Sequence, residues 1–96
     1  MKYEVIISDG AADGFLEILA YLNANNWRKA AEKLSNSFVS VLDSLSEFPF
    51  QFPIAATDLG LRKFMLLGKT VVLYRVLEQK VVVIAVFDGR RSLPNR

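Results

Sequence analysis

The stretch TVVLYRVLEQKVVVIAVF, residues 70–87, decides the fold of this chain. Both of its halves, 70–77 and 80–87, are nearly continuous apolar runs rich in β-branched side chains, which favour strands. Such runs are typical of strands buried on both faces, at the centre of a sheet. Glu78-Gln79 separates the two halves at the length of a hairpin turn. The sequence therefore predicts two central strands joined by a hairpin.

Two more strands are predicted outside this pair. Leu61–Leu67 precedes it, with Gly68-Lys69 as a second hairpin turn. At the start of the chain, Lys2–Ser8 has alternating side chains over a length typical of a strand. The segment Phe48–Pro53 contains two prolines and three phenylalanines, which indicates a loop that lies against the core.

Two amphipathic helices are predicted between the first strand and this loop, over residues 10–24 and 27–47. Ser8 or Asp9 can cap the first helix, and Pro49 ends the second. Four residues, Asn23–Asn26, join the helices, so we expect an antiparallel helical hairpin. The apolar stripe consists of Ala11, Phe15, Ile18, Leu19 and Leu22 in the first helix, and of Trp27, Ala31, Leu34, Phe38, Val41, Leu42, Leu45 and Phe48 in the second.

The predicted order is therefore β-α-α-β-β-β, in a single domain over residues 1–96. The fold class that satisfies this order is α+β: a twisted, mostly antiparallel sheet with the helical hairpin packed on one face. We expect Trp27 to begin the packing stripe of the second helix. If the Phe48–Phe52 loop is exposed instead of packed, it is the best candidate for a hydrophobic partner-binding patch.

Composition excludes several kinds of chemistry. The chain has no cysteine and no histidine, which removes disulfides, thiolate catalysis, Ser-His-Asp triads and His-metal sites. We expect no cofactor and no metal. Glu4 interrupts the short apolar run at the N-terminus, and no run approaches the ~18 residues of a membrane span. A soluble, cytoplasmic protein is expected.

Charge is unevenly distributed along the chain. Residues 1–48 carry four basic and seven acidic side chains, a net charge of −3, whereas residues 49–96 carry eight basic and three acidic ones, a net charge of +5. The basic half can meet nucleic acid or an acidic protein, or it can be an ordinary solvated surface.

At this point the chain resembles the RelE/ParE toxin superfamily, the plasmid stabilisation system toxins, over essentially its full length. The resemblance rests on an ordered series of motifs rather than on any one of them. These are Ser8-x-x-Ala11, Phe15, Ile18, Tyr21-Leu22, Leu45-x-x-Phe48-Pro49, Asp58-Leu59-Gly60-Leu61-Arg62, Tyr74-Arg75-Val76 and Gly89-Arg90-Arg91.

The resemblance implies a bacterial toxin that a cognate antitoxin silences. A homodimer or a toxin–antitoxin hetero-oligomer is expected. It leaves two activities open. The RelE-like branch is a ribosome-dependent mRNA endoribonuclease, whereas the ParE-like branch inhibits DNA gyrase and is not an enzyme. An inactive relic of either branch is a third alternative.

Two departures from the pattern of the RNA-cutting branch favour the ParE-like branch. The RNA-cutting branch commonly has an arginine three residues before the strand tyrosine, and Val71 stands there relative to Tyr74. That branch also tends to carry a Tyr or His beyond the last strand, and residues 88–96 contain neither. Tyr3, Tyr21 and Tyr74 follow strand or helix patterns, so we expect them to pack. RNA cleavage needs groups that activate the 2′-hydroxyl and protonate the leaving oxygen, so their loss argues against it.

The cations that remain are Arg62, Arg75, Arg90 and Arg91. Arg62 and Arg91 match basic positions of the superfamily. Arginine can hold phosphates or the acidic side chains of an antitoxin or target. We therefore predict these four residues as target- or antitoxin-binding candidates, with Arg62 and Arg91 as phosphate clamps if the chain cuts RNA. Arg75 alternatively faces solvent or pairs with Glu78.

Overall fold

The computed structural model describes residues 2–89 of the chain. Four strands and two α-helices follow the predicted α+β order, with one short strand and one short 3₁₀ helix added. The elements are β1 (Glu4–Ile7), α1 (Asp9–Ala24), α2 (Arg28–Glu47), β2 (Ile54–Ala56), a 3₁₀ helix (Thr57–Leu59), β3 (Leu61–Leu66), β4 (Thr70–Leu77) and β5 (Lys80–Asp88). In this described range, no helix is long and apolar enough to cross a membrane.

All five strands form one sheet in the order β1-β5-β4-β3-β2. β4 and β5, the two strands of the opening stretch, lie inside the sheet and pair antiparallel, which confirms the prediction of central strands. β3 continues the antiparallel pairing on one side. β1 pairs with β5 in parallel on the other side, with Val5 opposite Val81. The sheet is therefore mixed but mostly antiparallel, as expected.

β2 was not predicted from the sequence. It has only three residues, follows Pro53, and pairs with β3 through Ile54–Arg62 and Ala56–Leu61 across an irregular register. Three residues are too few for a periodic pattern to be recognised. The strand forms because the loop after α2 brings these residues against the edge of β3, which is a tertiary effect.

Ser8 fixes the junction between β1, α1 and β5. Its hydroxyl oxygen accepts a hydrogen bond of 3.1 Å from the backbone N–H of Ala11, so Ser8, one of the two predicted candidates, is the N-cap of α1. The same hydroxyl donates to the carbonyl oxygen of Ile84, 3.1 Å away. Ile84 is the extra residue at a β-bulge, between Tyr74–Val83 and Leu73–Ala85 pairs. One side chain thus links the helix start to an irregular point in the central strand.

The helical hairpin covers one face of the sheet, and the core lies between the two layers. Gly14 lets α1 approach β5 closely, since a Cβ at this position would overlap the carbonyl oxygen of Val86. The buried core consists of Ala11, Leu34, Phe38 and Leu45 from the helices and of Phe64, Leu66, Val72, Tyr74, Val81, Val83 and Val86 from the sheet.

Three expectations about packing are wrong in part. Trp27 lies one residue before α2 and is 50% exposed, so it does not begin the packed stripe. Tyr21 is 55% exposed, although Tyr3 is half-buried and Tyr74 is buried as predicted. The loop after α2 is divided: Phe52 packs on the core, whereas Phe48 and Phe50 are exposed. α2 ends before Pro49, so Phe48 turns away from the helix stripe.

Candidate functional site

Tyr74 holds the loop after α2 against the sheet. Its side chain is fully buried, and its hydroxyl donates a hydrogen bond of 2.8 Å to the carbonyl oxygen of Pro49. Its ring meets Phe52 edge-on at 6.5 Å between centroids, and Phe52 in turn stacks on Phe64 at 4.7 Å. Each such aromatic pair contributes about 0.5–1.5 kcal/mol beyond its buried area. The loop is therefore anchored at Pro49 and Phe52.

The phenol of Tyr74 is not poised for proton transfer. Burial raises the pKa of Tyr74 above its ordinary value of 10.0, and the Phe52 backbone and the Arg62 guanidinium offset this rise only in part. A general acid or base needs a pKa near the operating pH and access to the substrate. Tyr74 has neither, so its role is structural.

Arg62 sits at the same anchored loop. Its Nη1 atom donates to the carbonyl oxygen of Phe52 at 2.6 Å and, at the limit of a hydrogen bond, to that of Phe50 at 3.5 Å. Its guanidinium carbon lies 5.1 Å from the centre of the Phe50 ring, which is cation–π geometry. Within residues 2–89 every hydrogen bond of Arg62 uses Nη1, so Nη2 and Nε remain available for an outside anion.

The two candidate cations in the described part of the chain, Arg62 and Arg75, do not lie in one site. Arg62 is the register partner of Tyr74 and shares its face of the sheet. Arg75 follows Tyr74 in β4 and therefore projects from the opposite face. It is half-buried beside Val82, and among residues 2–89 no ion pair joins it to Glu78. Arg90 and Arg91 lie outside the described residues.

Val71 occupies the position where the resemblance would place an RNA-cutting arginine. Its side chain is only 7% exposed, and its cross-strand partners are Met65 and Phe87. This place in the sheet is apolar. Within residues 2–89 no three or more His, Cys, Asp or Glu lie together so that they could hold a metal ion.

An aromatic patch, defined here as half-buried Tyr3 and exposed Phe48 and Phe50, lies around the anchored loop. Phe48 and Phe50 are 64% and 57% exposed, and Tyr3 meets Phe50 edge-on at 6.4 Å. With Glu47, Pro49 and Gln51 these residues line a shallow depression of about 560 Å³. Arg62 borders the patch through its contact with Phe50. An aromatic surface next to a fixed arginine has the composition of a protein-binding hot spot.

A second surface was missed by the sequence reasoning. Tyr21, Trp27 and Leu67 line a cavity of about 520 Å³ between the helical turn and the β3–β4 turn. Helical periodicity placed Tyr21 and Trp27 in packed positions, and nothing in the sequence linked them to Leu67, which is 40 residues beyond Trp27. The only available signal was the bulky Leu67 in a turn position that normally takes Asn, Asp or Gly.

Comparisons with known proteins agree with this architecture. The family model described as "ParE toxin of type II toxin-antitoxin system, parDE" matches residues 5–93. A chain of the solved structure described as "Chromosomal ParDE TA system from P. aeruginosa" is similar in fold, with a TM-score of 0.75 and 15% sequence identity. The match covers 91% of this chain and 96% of that chain. A search of curated proteins gives no match.

The family match spans both helices and all five strands, and the solved structure independently has the same fold. The resemblance to the RelE/ParE superfamily is thereby confirmed, together with the preference for its ParE-like branch. The chain belongs to the family of ParE toxins of type II toxin–antitoxin systems.

Proposed function

We propose that this chain is a type II toxin that inhibits DNA gyrase by binding to it, without cutting RNA, and that a cognate antitoxin neutralises it in the cytoplasm. The observation that carries the proposal is the state of Tyr74. Its hydroxyl is buried and bonded to Pro49, and Val71 leaves no cation three residues before it. A phosphate there would meet no accessible acid, and Val71 supplies no cation to stabilise its charge.

The aromatic patch and Arg62 are the proposed target-binding surface. Among residues 2–89 no element covers the exposed apolar area of Phe48 and Phe50, and the Arg62 guanidinium lies over the Phe50 ring. Aromatic and arginine side chains carry much of the binding free energy at protein interfaces. The free Nη2 and Nε donors of Arg62 suit a carboxylate of the target.

Arg75, Arg90 and Arg91 are proposed as further cations of the target or antitoxin contacts. Arg91→Ala should weaken target binding without unfolding the domain. Circular dichroism checks the fold, and inhibition of gyrase supercoiling checks the activity. An Arg91→Ala variant that inhibits gyrase as well as the unchanged protein would remove this residue from the site.

The first test is pulse-labelling after induction in a bacterial host. If the proposal is right, incorporation into DNA falls before incorporation into protein, and the purified protein inhibits supercoiling by gyrase. If protein synthesis falls first and transcripts carry 2′,3′-cyclic ends, the ribonuclease alternative is right and the arginines support cleavage. If neither falls, the chain is an inactive relic.

The target-binding surface has its own test. Phe50→Ser should abolish growth inhibition while leaving the fold intact, since Phe50 is exposed. Val39→Ser is the matched control, because Val39 is 65% exposed on α2 and lies outside the aromatic patch. Equal loss of toxicity in both variants would indicate a general effect of lost apolar surface.

A further inference from the structure

The face of the sheet opposite the helical hairpin, here called the outer face, is open to solvent. Successive side chains along a strand point to opposite faces, so Leu73, Arg75 and Val82 lie on the outer face. They are only half-buried, whereas Tyr74 and Val81 on the hairpin face are fully buried. Among residues 2–89 no second layer therefore covers this part of the sheet.

Three cations cross the outer face along a diagonal. Lys63 of β3 is opposite Leu73 of β4, and Arg75 lies two residues further along β4. Lys80 of β5 is opposite Leu77, which lies two residues beyond Arg75. Each step moves one strand across the sheet and two residues along it in the same direction. Lys63, Arg75 and Lys80 thus form one straight row, here called the cation row.

The sheet fixes the spacing of the cation row. Diagonal neighbours on one face of a sheet are about 7–8 Å apart, so the row is about 15 Å long. Lys63 and Lys80 are exposed, and Arg75 is half-buried. Because all three residues lie in strands, their intervals are set by backbone pairing and not by a loop.

Two carboxylates lie near one end of the row. Glu4 of β1 is the register partner of Lys80, and Glu78 lies in the turn between β4 and β5. Within residues 2–89 neither carboxylate forms an ion pair with Lys80 or Arg75. The cations therefore keep their N–H donors for an outside anion. Glu4 nevertheless lowers the positive potential at Lys80, because the two residues are opposite each other.

A row of evenly spaced cations suits a ligand whose charges also repeat. Phosphates along one strand of duplex DNA advance by about 3.4 Å per nucleotide. Cations about 7–8 Å apart can therefore meet roughly every second phosphate. An acidic protein presents its carboxylates at intervals set by its own fold, so even spacing does not favour it. Lysine and arginine hold phosphates by charge-assisted hydrogen bonds.

The two layers of the molecule differ in charge. α1 carries three acidic residues, Asp9, Asp13 and Glu17, and no basic one. It lies in the helical layer, whereas the cation row lies on the other side of the sheet. A polyanion is repelled by α1 and attracted by the row, so it approaches the outer face.

We propose that the outer face of the sheet binds the phosphate backbone of duplex DNA through Lys63, Arg75 and Lys80. This adds a second contact to the proposed function, since gyrase acts on DNA and a toxin bound to gyrase lies close to it. Arg62, beside the aromatic patch, projects from the other face of the sheet, so the toxin can hold the enzyme and the DNA together. Backbone contacts carry no sequence information, so the binding is independent of sequence.

The test is fluorescence anisotropy of the purified protein with a short labelled duplex of mixed sequence, over a range of salt concentrations. The logarithm of the binding constant should fall linearly with the logarithm of salt, with a slope of about −3 for three neutralised phosphates. Lys63→Glu/Lys80→Glu should weaken binding by roughly tenfold or more and bring the slope to about −1. Arg28→Glu/Lys29→Glu is the control, because it makes the same change in net charge on exposed positions of α2. It should keep the affinity within about threefold. Circular dichroism checks the fold of each variant.

Glu4→Gln tests the same row by a gain of affinity. Removing the carboxylate opposite Lys80 should tighten duplex binding by about twofold or more. A folding defect cannot imitate this result. Glu17→Gln is the matched control on α1, where the same loss of charge lies on the other side of the molecule and should leave the affinity unchanged.

The outcomes separate this inference from the proposed function. If the duplex does not bind, or binds the row and control variants equally, the inference is overturned, and inhibition of gyrase by the unchanged protein still supports the proposed function. If poly-glutamate displaces the labelled duplex as well as unlabelled duplex of equal charge does, the partner is an acidic protein and the inference is overturned. If the duplex binds through the row but supercoiling is not inhibited, the inference holds and the proposed function fails.

Discussion

The hydroxyl of Tyr74 donates a 2.8 Å hydrogen bond to the carbonyl oxygen of Pro49, 25 residues earlier in the chain. This bond joins a central strand to the loop that presents the aromatic patch. Pro49 is itself buried, so its carbonyl has little access to water. The position of Phe48 and Phe50 on the surface therefore depends on a contact inside the core.

Tyr74→Phe should lower the free energy of unfolding by about 1–3 kcal/mol, because the buried Pro49 carbonyl loses its partner. Urea denaturation measures the loss. Tyr21→Phe is the matched control, since Tyr21 is 55% exposed and its change should stay within about 0.5 kcal/mol. A Tyr74→Phe protein as stable as the unchanged one would show that the bond contributes nothing net.

Stability should fall at alkaline pH through Tyr74. The folded state raises the pKa of this phenol above 10.0, so it binds the proton more tightly than the unfolded chain does. The contribution is fully present below pH 10 and is lost as pH rises through the folded pKa. Between pH 8 and 11 the free energy of unfolding should decline more steeply for the unchanged protein than for the Tyr74→Phe variant. Parallel curves would contradict the assignment.

Arg62→Met should loosen the loop after α2. Methionine keeps the apolar stem but removes the hydrogen bond to Phe52 and the charge over Phe50. We expect a loss of about 1–2 kcal/mol, reduced because Arg62 is partly exposed. Hydrogen exchange of the backbone amides of Phe50, Gln51 and Phe52 should speed up. Lys63→Met, at the exposed neighbouring position, should leave both measurements unchanged.

Gly14→Ala should be among the most destabilising small substitutions in this chain. A methyl group at this position overlaps the Val86 carbonyl oxygen, so α1 must move away from β5. We expect a loss of about 3 kcal/mol or more, as for other severe core clashes. Gly10→Ala is the control, because a methyl group there meets no atom within 4 Å. Its effect should be neutral or slightly stabilising.

Much of the fold could be predicted from local patterns. The run at 70–87 identified the two central strands, and Ser8 identified the start of α1. These predictions succeeded because strand alternation, helix periodicity and capping depend on residues close in sequence. β2 could not be predicted, since its three residues pair only after the loop has been brought to the edge of β3.

The candidate site was less predictable. Arg62 was recognised as a cation, but its partners, the carbonyl oxygens of Phe50 and Phe52, lie on a loop 10–12 residues earlier. The exposure of Trp27 was missed because helical spacing predicts which face a side chain occupies only for residues within a helix. Trp27 lies outside α2, which begins at Arg28. A residue outside the helix has no place on its stripe.

The sequence by itself determined the α+β order, the central strands, a helix start at Ser8 or Asp9 and the absence of thiol and imidazole chemistry. Tertiary structure alone decided that Arg62 and Arg75 project from opposite faces of the sheet, that Val71 lies at an apolar place, and that Trp27 and Leu67 line the same cavity. The physical reason is distance along the chain. Which face of a helix or strand is buried can be predicted from residues close in sequence. A site forms where elements remote in sequence come together, and their arrangement depends on the packing of the whole core.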